Sequence, residues 1–178
     1  DKYVYSHWGL NFDDSGSLSS KGIICNDLLK HLLNEDEFIL KIPPKSATIE
    51  RYTNKIFNEI IIKFNQINKY DFLRTLVNFT AITISKNIRM FLMNNDMLNT
   101  RCVISGGGAK NNVLLSDLRE DLKEIKIEDL DFNGLNVDNK ESFLMAVLGL
   151  TSFLNIPNNI PNVTGASKSI ICGKVYES

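Results

Sequence analysis

Three consecutive glycines separate an apolar run from a helical pattern in the second half of this chain. Residues 103–111 read VISGGGAKN, and the residues before the glycines favour a β-strand. Because glycine lacks a Cβ atom, Gly106, Gly107 and Gly108 permit positive φ angles and close approach of a ligand to the backbone. Amide groups at the start of the following helix attract anions or polar ligand atoms. The segment predicts either a nucleotide-binding loop or an ordinary tight turn, and alone it does not separate the two.

The composition is typical of a globular protein with one domain. The chain has 178 residues, of which 43% are hydrophobic and 23% charged, so it can bury a sizeable core. Its net charge of −1 provides no basic field for a nucleic acid, and no apolar run reaches the length of a bilayer span. We therefore expect neither a nucleic acid nor a membrane as a partner.

The cysteines and histidines argue against disulfide and metal chemistry. Cys25, Cys102 and Cys172 are widely spaced, odd in number and form no Cys-x-x-Cys pair, which favours a reducing cytoplasm. His7 and His31 are the only histidines in the sequence, and no cluster has metal-ligand spacing. We expect a cytoplasmic protein with no metal site of its own. The N-terminus has no signal-peptide layout. Because it also lacks an initiator Met, we expect a piece of a longer protein.

Apolar residues at helical spacing predict a helical first half. The predicted helices cover residues 23–33, a segment from about residue 48 to residue 64, and a longer segment that includes residues 72–88. Pro43 and Pro44 interrupt the chain between the first and second of these helices.

Strand and helix patterns alternate in the second half. They predict a strand at 101–105, a helix at 112–123, a weak strand at 125–127, a helix at 138–155 and a closing strand at 169–176. This order predicts an α/β fold with right-handed crossovers.

The four residues DNKE at 138–141 have two interpretations. Asp138 can cap the last long helix while Glu141 bonds back to the cap amide, and this arrangement is favoured by the residues alone. Alternatively, Glu141 faces a cleft as a base or as a carboxylate that orients water.

Other polar segments carry weaker signals. Lys45, in the stiff loop after the two prolines, either meets a phosphate or stays solvated, and Ser46 or Thr48 caps the next helix. Asp13 and Asp14 lack the spacing of an EF-hand. The sequence contains no Gly-x-x-x-x-Gly-Lys-Ser/Thr motif, so it is not a P-loop protein.

Several segments occur together in the order of one sugar-kinase family. They are FD at 12–13 with Gly22, PPKS at 43–46, TAITIS at 80–85, SGGGAKN at 105–111, Asp138 with Glu141, and NIPNVTGA at 159–166. From Asp1 to Tyr176 the chain resembles the C-terminal half of anhydro-N-acetylmuramic acid kinase, in the actin-like/sugar-kinase superfamily. The glycine segment and the VTGA segment together are the most specific part of this resemblance.

The resemblance implies two α/β lobes around a cleft, with residues 1–178 as the C-terminal lobe and the N-terminal lobe absent. Members use ATP, with Mg²⁺, to phosphorylate the 6-oxygen of 1,6-anhydro-N-acetylmuramic acid while water opens the anhydro ring. The product, N-acetylmuramic acid 6-phosphate, is an intermediate of cell-wall recycling.

The resemblance also implies roles for individual residues. Gly106, Gly107 and Gly108 would line the adenosine side of the ATP site with help from Asn111. Glu141 would reach the sugar and position the attacking water.

The chain departs from the family in ways that leave other functions open. The Gly-Thr-Ser-x-Asp-Gly phosphate loop and the Asp-Thr-Gly-Pro-Gly-Asn segment with the principal catalytic Asp are absent, and residues 47–51 differ, so no sugar contact is carried onto Arg51. Because phosphoryl transfer needs phosphate clamping, a metal and a positioned nucleophile together, we expect the isolated chain to be inactive. The alternatives are a kinase for another anhydrosugar such as levoglucosan, or a non-catalytic interaction module that retains the fold. A homodimer is a further partner prediction.

Overall fold

The computed structural model describes residues 1–45, 54–92, 101–132, 134–136 and 138–176. Its helices are α1 Lys2–Trp8, α2 Asn26–Glu35, α3 Asn54–Lys63, α4 Lys69–Phe91, α5 Asn112–Asp121, α6 Lys140–Phe153 and α7 Pro161–Thr164. Its strands are β1 Arg101–Ile104, β2 Lys126–Asp129, β3 Asp131–Phe132 and β4 Leu135–Asn136. Short 3₁₀ helices occupy Asp14–Gly16, Ser19–Lys21, Glu37–Leu40 and Gly107–Lys110. In this part of the chain, no helix combines the length and apolarity needed to cross a membrane.

The predicted helices of the first half are confirmed as α2, α3 and α4. The described part of α3 begins at Asn54, so the predicted caps Ser46 and Thr48 lie outside the described residues. The pattern did not indicate α1, which is only seven residues long and rich in aromatic side chains. Gly9, with a φ of 68°, ends α1 and donates its amide to the carbonyl oxygen of Tyr5.

A core of aromatic and aliphatic side chains joins α1, α2 and α4. Tyr3 stacks on Phe72 with ring centroids 4.5 Å apart, and Leu28 is fully buried beside them. The chain approaches α4 so closely at Gly22 that a Cβ atom there would lie 2.1 Å from the carbonyl oxygen of Tyr70. Only glycine permits this packing, which brings the N-terminal loops onto the long helix.

A small parallel sheet forms the second layer. β1 pairs with β2 in parallel, from Arg101 opposite Lys126 to Ile104 opposite Asp129. The intervening helix α5 packs on α4 through a second core made of Ala81, Leu118, Leu122 and Ile125. The structure is thus a mixed helix and strand fold with a β1–α5–β2 unit, as the alternating pattern predicted. The hand of the crossover stays a prediction.

A buried ion pair clamps α4 to α5. The Arg74 guanidinium donates two hydrogen bonds to the Asp117 carboxylate, at 2.6 and 2.7 Å. The Asn78 amide donates a third hydrogen bond to the same carboxylate at 2.9 Å. Both charged side chains are largely buried, with 16% and 9% of their surfaces exposed. The clamp therefore satisfies a charge that burial would otherwise destabilise.

The closing strand predicted at 169–176 is wrong. That segment is exposed and irregular, and it pairs with no strand among the described residues. Asparagine side chains take the place of a strand partner: Asn158 accepts a hydrogen bond from the amide of Cys172 at 2.6 Å, and Asn159 accepts one from the amide of Ile170 at 2.7 Å. In the described residues, the predicted strand–helix–strand–helix–strand order therefore has no closing strand after α6.

Two smaller corrections concern the neighbouring segments. An antiparallel hairpin of β3 and β4 follows β2, and the pattern did not indicate it. The pattern also did not indicate α7, which is capped at its C-terminus by Gly165 with a φ of 74°.

Candidate functional site

The glycine segment turns sharply between the end of β1 and the start of α5. Gly106 has a φ of 89°, a conformation that residues with a Cβ atom rarely adopt. A 3₁₀ turn follows, in which the amide of Ala109 donates to the carbonyl oxygen of Gly106 at 3.0 Å. The methyl group of Ala109 is buried. The loop is therefore anchored to the protein at its base.

Gly107 stands beside open space on the outer side of this loop. A Cβ atom built at Gly106 or Gly107 would meet no other atom within 4 Å, whereas one at Gly108 would contact Leu114 at 3.4 Å. The φ of Gly107 is not positive, so neither backbone conformation nor internal packing requires glycine there. One physical reason for glycine at position 107 remains: it lets a ligand approach the backbone closely.

Asn111 caps α5. Its side-chain oxygen accepts hydrogen bonds from the amides of Val113 at 3.1 Å and Leu114 at 3.0 Å, which satisfies two amides at the helix start. The amide nitrogen of its side chain makes no hydrogen bond with the described residues. This donor remains available to a ligand over the glycine loop.

An N-terminal loop packs directly against this cap. A Cβ atom at Gly16 would lie 2.7 Å from the side-chain oxygen of Asn111. Asp13 holds the loop closed, because its carboxylate accepts hydrogen bonds from the amides of Leu18 at 2.7 Å and Ser19 at 3.1 Å, and from the Ser19 hydroxyl at 2.6 Å. The FD and GGG segments, far apart in sequence, are thus neighbours. The signal in the sequence was the acidic pair Asp13 and Asp14 followed by Gly16, which does not by itself specify a partner so far along the chain.

The capping arrangement predicted for residues 138–141 is wrong. Asn139, and not Asp138, occupies the N-cap of α6, and its side chain makes no capping hydrogen bond. It instead accepts a hydrogen bond from the amide of Asn136 at 2.8 Å and donates one to the carbonyl oxygen of Gly134 at 2.7 Å. Asp138 forms an ion pair with Lys110 of the glycine loop, with Nζ and Oδ1 2.5 Å apart.

This ion pair joins the two segments singled out in the sequence. Lys110 follows the glycines, and Asp138 lies three residues before Glu141. Glu141 is exposed in the first turn of α6 and has no hydrogen-bond or ion-pair partner among the described residues. The Glu141 carboxylate is therefore accessible to a ligand. It lies at the N-terminal end of α6, which the Asp138–Lys110 ion pair connects to the glycine loop.

Lys45 is held by backbone carbonyl oxygens and lies over an aromatic ring. Its ammonium group donates to the carbonyl oxygens of Phe38 at 3.1 Å and Ile39 at 3.0 Å, and lies 4.9 Å from the centre of the Phe91 ring. These contacts hold the end of a 3₁₀ helix against α4. Arg51 lies outside the described residues.

Titratable groups near the loop provide no second chemistry. Burial raises the pKa of the Cys102 thiol on β1, which keeps it protonated and weakens it as a nucleophile. A hydrogen bond from Lys126 lowers the pKa of Glu128 on β2. Within the described ranges, no three His, Cys, Asp or Glu side chains are placed to hold a metal ion.

Neutralising either end of the Lys110–Asp138 pair is expected to change stability little, because the two side chains are 60% and 76% exposed. Lys110→Met and Asp138→Asn should each change the free energy of unfolding by less than about 1 kcal/mol. Urea unfolding measures this, and the difference should shrink in about 1 M salt, because salt weakens ion pairs between solvent-exposed side chains. A loss that persists in high salt would contradict an exposed ionic contact.

Comparison with known proteins identifies relatives along the whole chain. A family model for anhydro-N-acetylmuramic acid kinase matches residues 1–178. Curated proteins described as anhydro-N-acetylmuramic acid kinase are 36% identical over 167 residues in Synechococcus elongatus and 30% identical over 172 residues in Caldanaerobacter subterraneus subsp. tengcongensis. The alignments cover 94% and 96% of this chain but only 43% of each relative. The chain thus spans less than half the length of these relatives.

Proposed function

The chain belongs to the anhydro-N-acetylmuramic acid kinase family, and we propose that it is the C-terminal part of such a kinase. In the proposed reaction, water attacks the anomeric carbon of 1,6-anhydro-N-acetylmuramic acid and the bond from that carbon to the 6-oxygen breaks. The freed 6-oxygen takes the γ-phosphoryl group of ATP, and ADP leaves. The product is N-acetylmuramic acid 6-phosphate, which would place the protein in cell-wall recycling in the cytoplasm.

The observation that carries this proposal is the open glycine loop at the end of a parallel strand. Ligands of open α/β sheets bind outside the carboxyl ends of the strands, and Gly106 follows β1 at that end. Gly107 is free of internal packing, so the flat face of an adenosine group can approach its backbone. The β1–α5–β2 unit is also compatible with the actin-like lobe that the family resemblance implies.

Glu141 is the described carboxylate best suited to orient water in this reaction. It is exposed, it has no described partner, and it lies in the first turn of a helix joined to the glycine loop through Asp138 and Lys110. A carboxylate that accepts a hydrogen bond from the attacking water would hold that water against the anomeric carbon, while the principal catalytic base takes its proton.

The phosphate side of the site requires groups from elsewhere. Lys45 is engaged by backbone carbonyl oxygens, and the described residues contain no cluster that could hold Mg²⁺. We therefore assign the adenosine side of ATP to this chain, and the phosphate groups, the metal and the principal catalytic base to a part that this chain lacks. Mg²⁺, where bound, would neutralise charge on the phosphates during transfer.

Gly107→Val in the full product of the gene is expected to raise the Michaelis constant for ATP by about tenfold or more. The valine side chain would occupy the space that a nucleotide needs, while no protein atom opposes it. Gly107→Ala should give a smaller rise. Steady-state kinetics with ATP as the varied substrate measure both.

Gly107 is a cleaner test than Gly106, whose φ of 89° makes any substitution strained. Ser20→Val, at an exposed position of the 3₁₀ helix Ser19–Lys21, controls for an added apolar side chain. An unchanged Michaelis constant in a folded Gly107→Val protein would refute nucleotide contact at this loop.

A non-catalytic interaction module is the alternative function. The gene sequence upstream of Asp1 decides between the kinase and this module. A Gly-Thr-Ser-x-Asp-Gly loop and an Asp-Thr-Gly-Pro-Gly-Asn segment encoded upstream of Asp1 would support the kinase. A reading frame that begins near Asp1 would support the module.

A further inference from the structure

A closed loop early in the chain links the first hydrophobic core to the cap of α5. We call residues 13–19 the Asp13 loop. Leu18, near one end of this loop, is buried in the core that α1, α2 and α4 share. Gly16, in its middle, is buried against Asn111. The Asp13 loop therefore lies between the helical first half and the point where the glycine loop enters α5.

A single carboxylate closes the Asp13 loop. The side chain of Asp13 makes no hydrogen bond to the 3₁₀ turn that it precedes. Its oxygens instead accept from the amides of Leu18 and Ser19, five and six positions further on, and from the buried Ser19 hydroxyl. Hydrogen bonds to a charged acceptor are the stronger ones, so one side chain fixes both ends of the loop.

The backbone between these two ends depends on that closure. Ser15 and Gly16 have φ angles of 55° and 77°, and the left-handed conformation is unfavourable for a residue with a Cβ atom such as Ser15. A residue keeps such a conformation only where the surrounding contacts fix it. The hydrogen bonds to Asp13 supply this constraint.

The fit of Gly16 against the cap of α5 leaves no free space. A Cβ atom there would lie 2.7 Å from Oδ1 of Asn111, 2.8 Å from Cγ2 of Val113 and 3.2 Å from the Val113 amide nitrogen. These contacts include the oxygen that caps α5 and one of the two amides that donate to it. A displacement of the Asp13 loop would therefore act first on the side chain of Asn111.

We propose that Asp13 is a positioning residue for the nucleotide. By closing its loop against Asn111, it fixes the cap of α5 and with it the side-chain amide that Asn111 offers to a ligand over the glycine loop. Asp13 does not itself bind ATP in this arrangement, because its carboxylate already accepts three hydrogen bonds from its own loop. This role rests on the proposed function, in which the glycine loop binds ATP.

Asp13→Asn in the full product of the gene tests this role by steady-state kinetics. The Michaelis constant for ATP is expected to rise by about tenfold, because a displaced binding group weakens the contact with the nucleotide. The turnover number at saturating ATP should change by less than about twofold, since Asp13 touches no reacting atom. A merely structural role predicts the opposite: a smaller folded fraction lowers the apparent turnover number and leaves the Michaelis constant unchanged.

Asp14→Asn is the matched control. It removes the same charge one position away, from an exposed side chain that accepts a hydrogen bond from the neighbouring Ser15 hydroxyl at 3.1 Å. Both kinetic constants should stay within about twofold of the wild type. Ser19→Ala removes only the hydroxyl donor and should raise the Michaelis constant for ATP by less than Asp13→Asn does, which provides a milder variant if Asp13→Asn does not fold.

A double-mutant cycle with Asn111→Ala tests the route through the cap. Once Asn111 is removed, Asp13→Asn should raise the Michaelis constant for ATP by less than about twofold. An equal effect of Asp13→Asn with and without Asn111 would overturn the proposal. So would an unchanged Michaelis constant in a folded Asp13→Asn protein that turns over ATP.

Amide hydrogen exchange without nucleotide separates this role from the proposed function. The amides of Val113 and Leu114, which Asn111 caps, should exchange about fivefold faster in Asp13→Asn than in Asp14→Asn or the wild type. Unchanged exchange of both amides would overturn the positioning role. Faster exchange in a full product that does not bind ATP would support control of the cap by Asp13 and reject the nucleotide site.

Discussion

Glu141→Gln is expected to lower the turnover number of the proposed full-length kinase by about 10²-fold, the size of loss that a misplaced reactant can cause. Glutamine keeps the shape and reach of glutamate but lacks the negative charge that holds the attacking water, and its amide nitrogen cannot accept a hydrogen bond from that water. The carboxylate is exposed and has no partner among the described residues, so its removal breaks no interaction that holds α6. Turnover with saturating ATP and sugar measures the effect.

The same variant should leave folding almost unchanged. Loss of a true helix cap costs about 1 kcal/mol, whereas Glu141 caps nothing in this structure, so the free energy of unfolding should shift by less than that. Glu120→Gln, an exposed carboxylate on α5, is the matched control and should retain full turnover. A variant that lost stability while turnover held would restore the capping interpretation.

Asp117→Ala is expected to destabilise the 178-residue chain by about 3–5 kcal/mol, since it strands the buried Arg74 guanidinium without its partner. The Asn78 amide loses its acceptor in the same step. Urea unfolding followed by circular dichroism measures the loss. Arg74→Met combined with Asp117→Leu should recover a large part of it, because an apolar pair can replace a buried ion pair.

A more exposed pair provides the comparison. Arg89 and Glu124 meet at 2.9 Å with side chains 45% and 36% exposed, so Glu124→Gln should destabilise the chain much less than Asp117→Ala does. Similar losses from Asp117→Ala and Glu124→Gln would show that the clamp between α4 and α5 is not effectively buried.

The sequence was informative wherever local periodicity and packing agree. The stripe through Phe72 and Leu76 predicted α4 because that face packs on the core, and the apolar run before Gly106 predicted β1. The turn between β1 and α5 was located correctly because no other segment of the sequence has three consecutive glycines. Local patterns of this kind need no knowledge of distant partners.

Features that depend on distant partners could not be predicted in this way. Asp138 stands where a helix cap is expected, so the local pattern predicted a cap. Its actual partner, Lys110, lies 28 positions earlier in the chain, where a local pattern cannot detect it. The segment at 169–176 resembled a strand because Ile170, Ile171 and Val175 favour extended backbone, but a strand also needs a neighbour. Asn158 and Asn159 meet its backbone groups instead.

The candidate site also combines residues that the sequence indicated with residues whose contacts depend on distant partners. Asn111 was assigned to the nucleotide by resemblance, and its geometry adds a second role as the cap of α5. Asp13 and Gly16 received no site role, although they place a second loop against that cap. Hydrogen bonds from Asp13 to Leu18 and Ser19 depend on a loop conformation that composition alone does not specify.

The central claim is that this chain is the nucleotide-binding C-terminal part of an anhydrosugar kinase. The most direct measurement is turnover of the full gene product with ATP and 1,6-anhydro-N-acetylmuramic acid, with levoglucosan as the competing substrate, and with the product identified by mass. The prediction is ATP-dependent formation of N-acetylmuramic acid 6-phosphate, faster than any reaction with levoglucosan. Preferential phosphorylation of levoglucosan would contradict the assigned sugar, and no phosphorylation of either sugar would contradict the kinase itself.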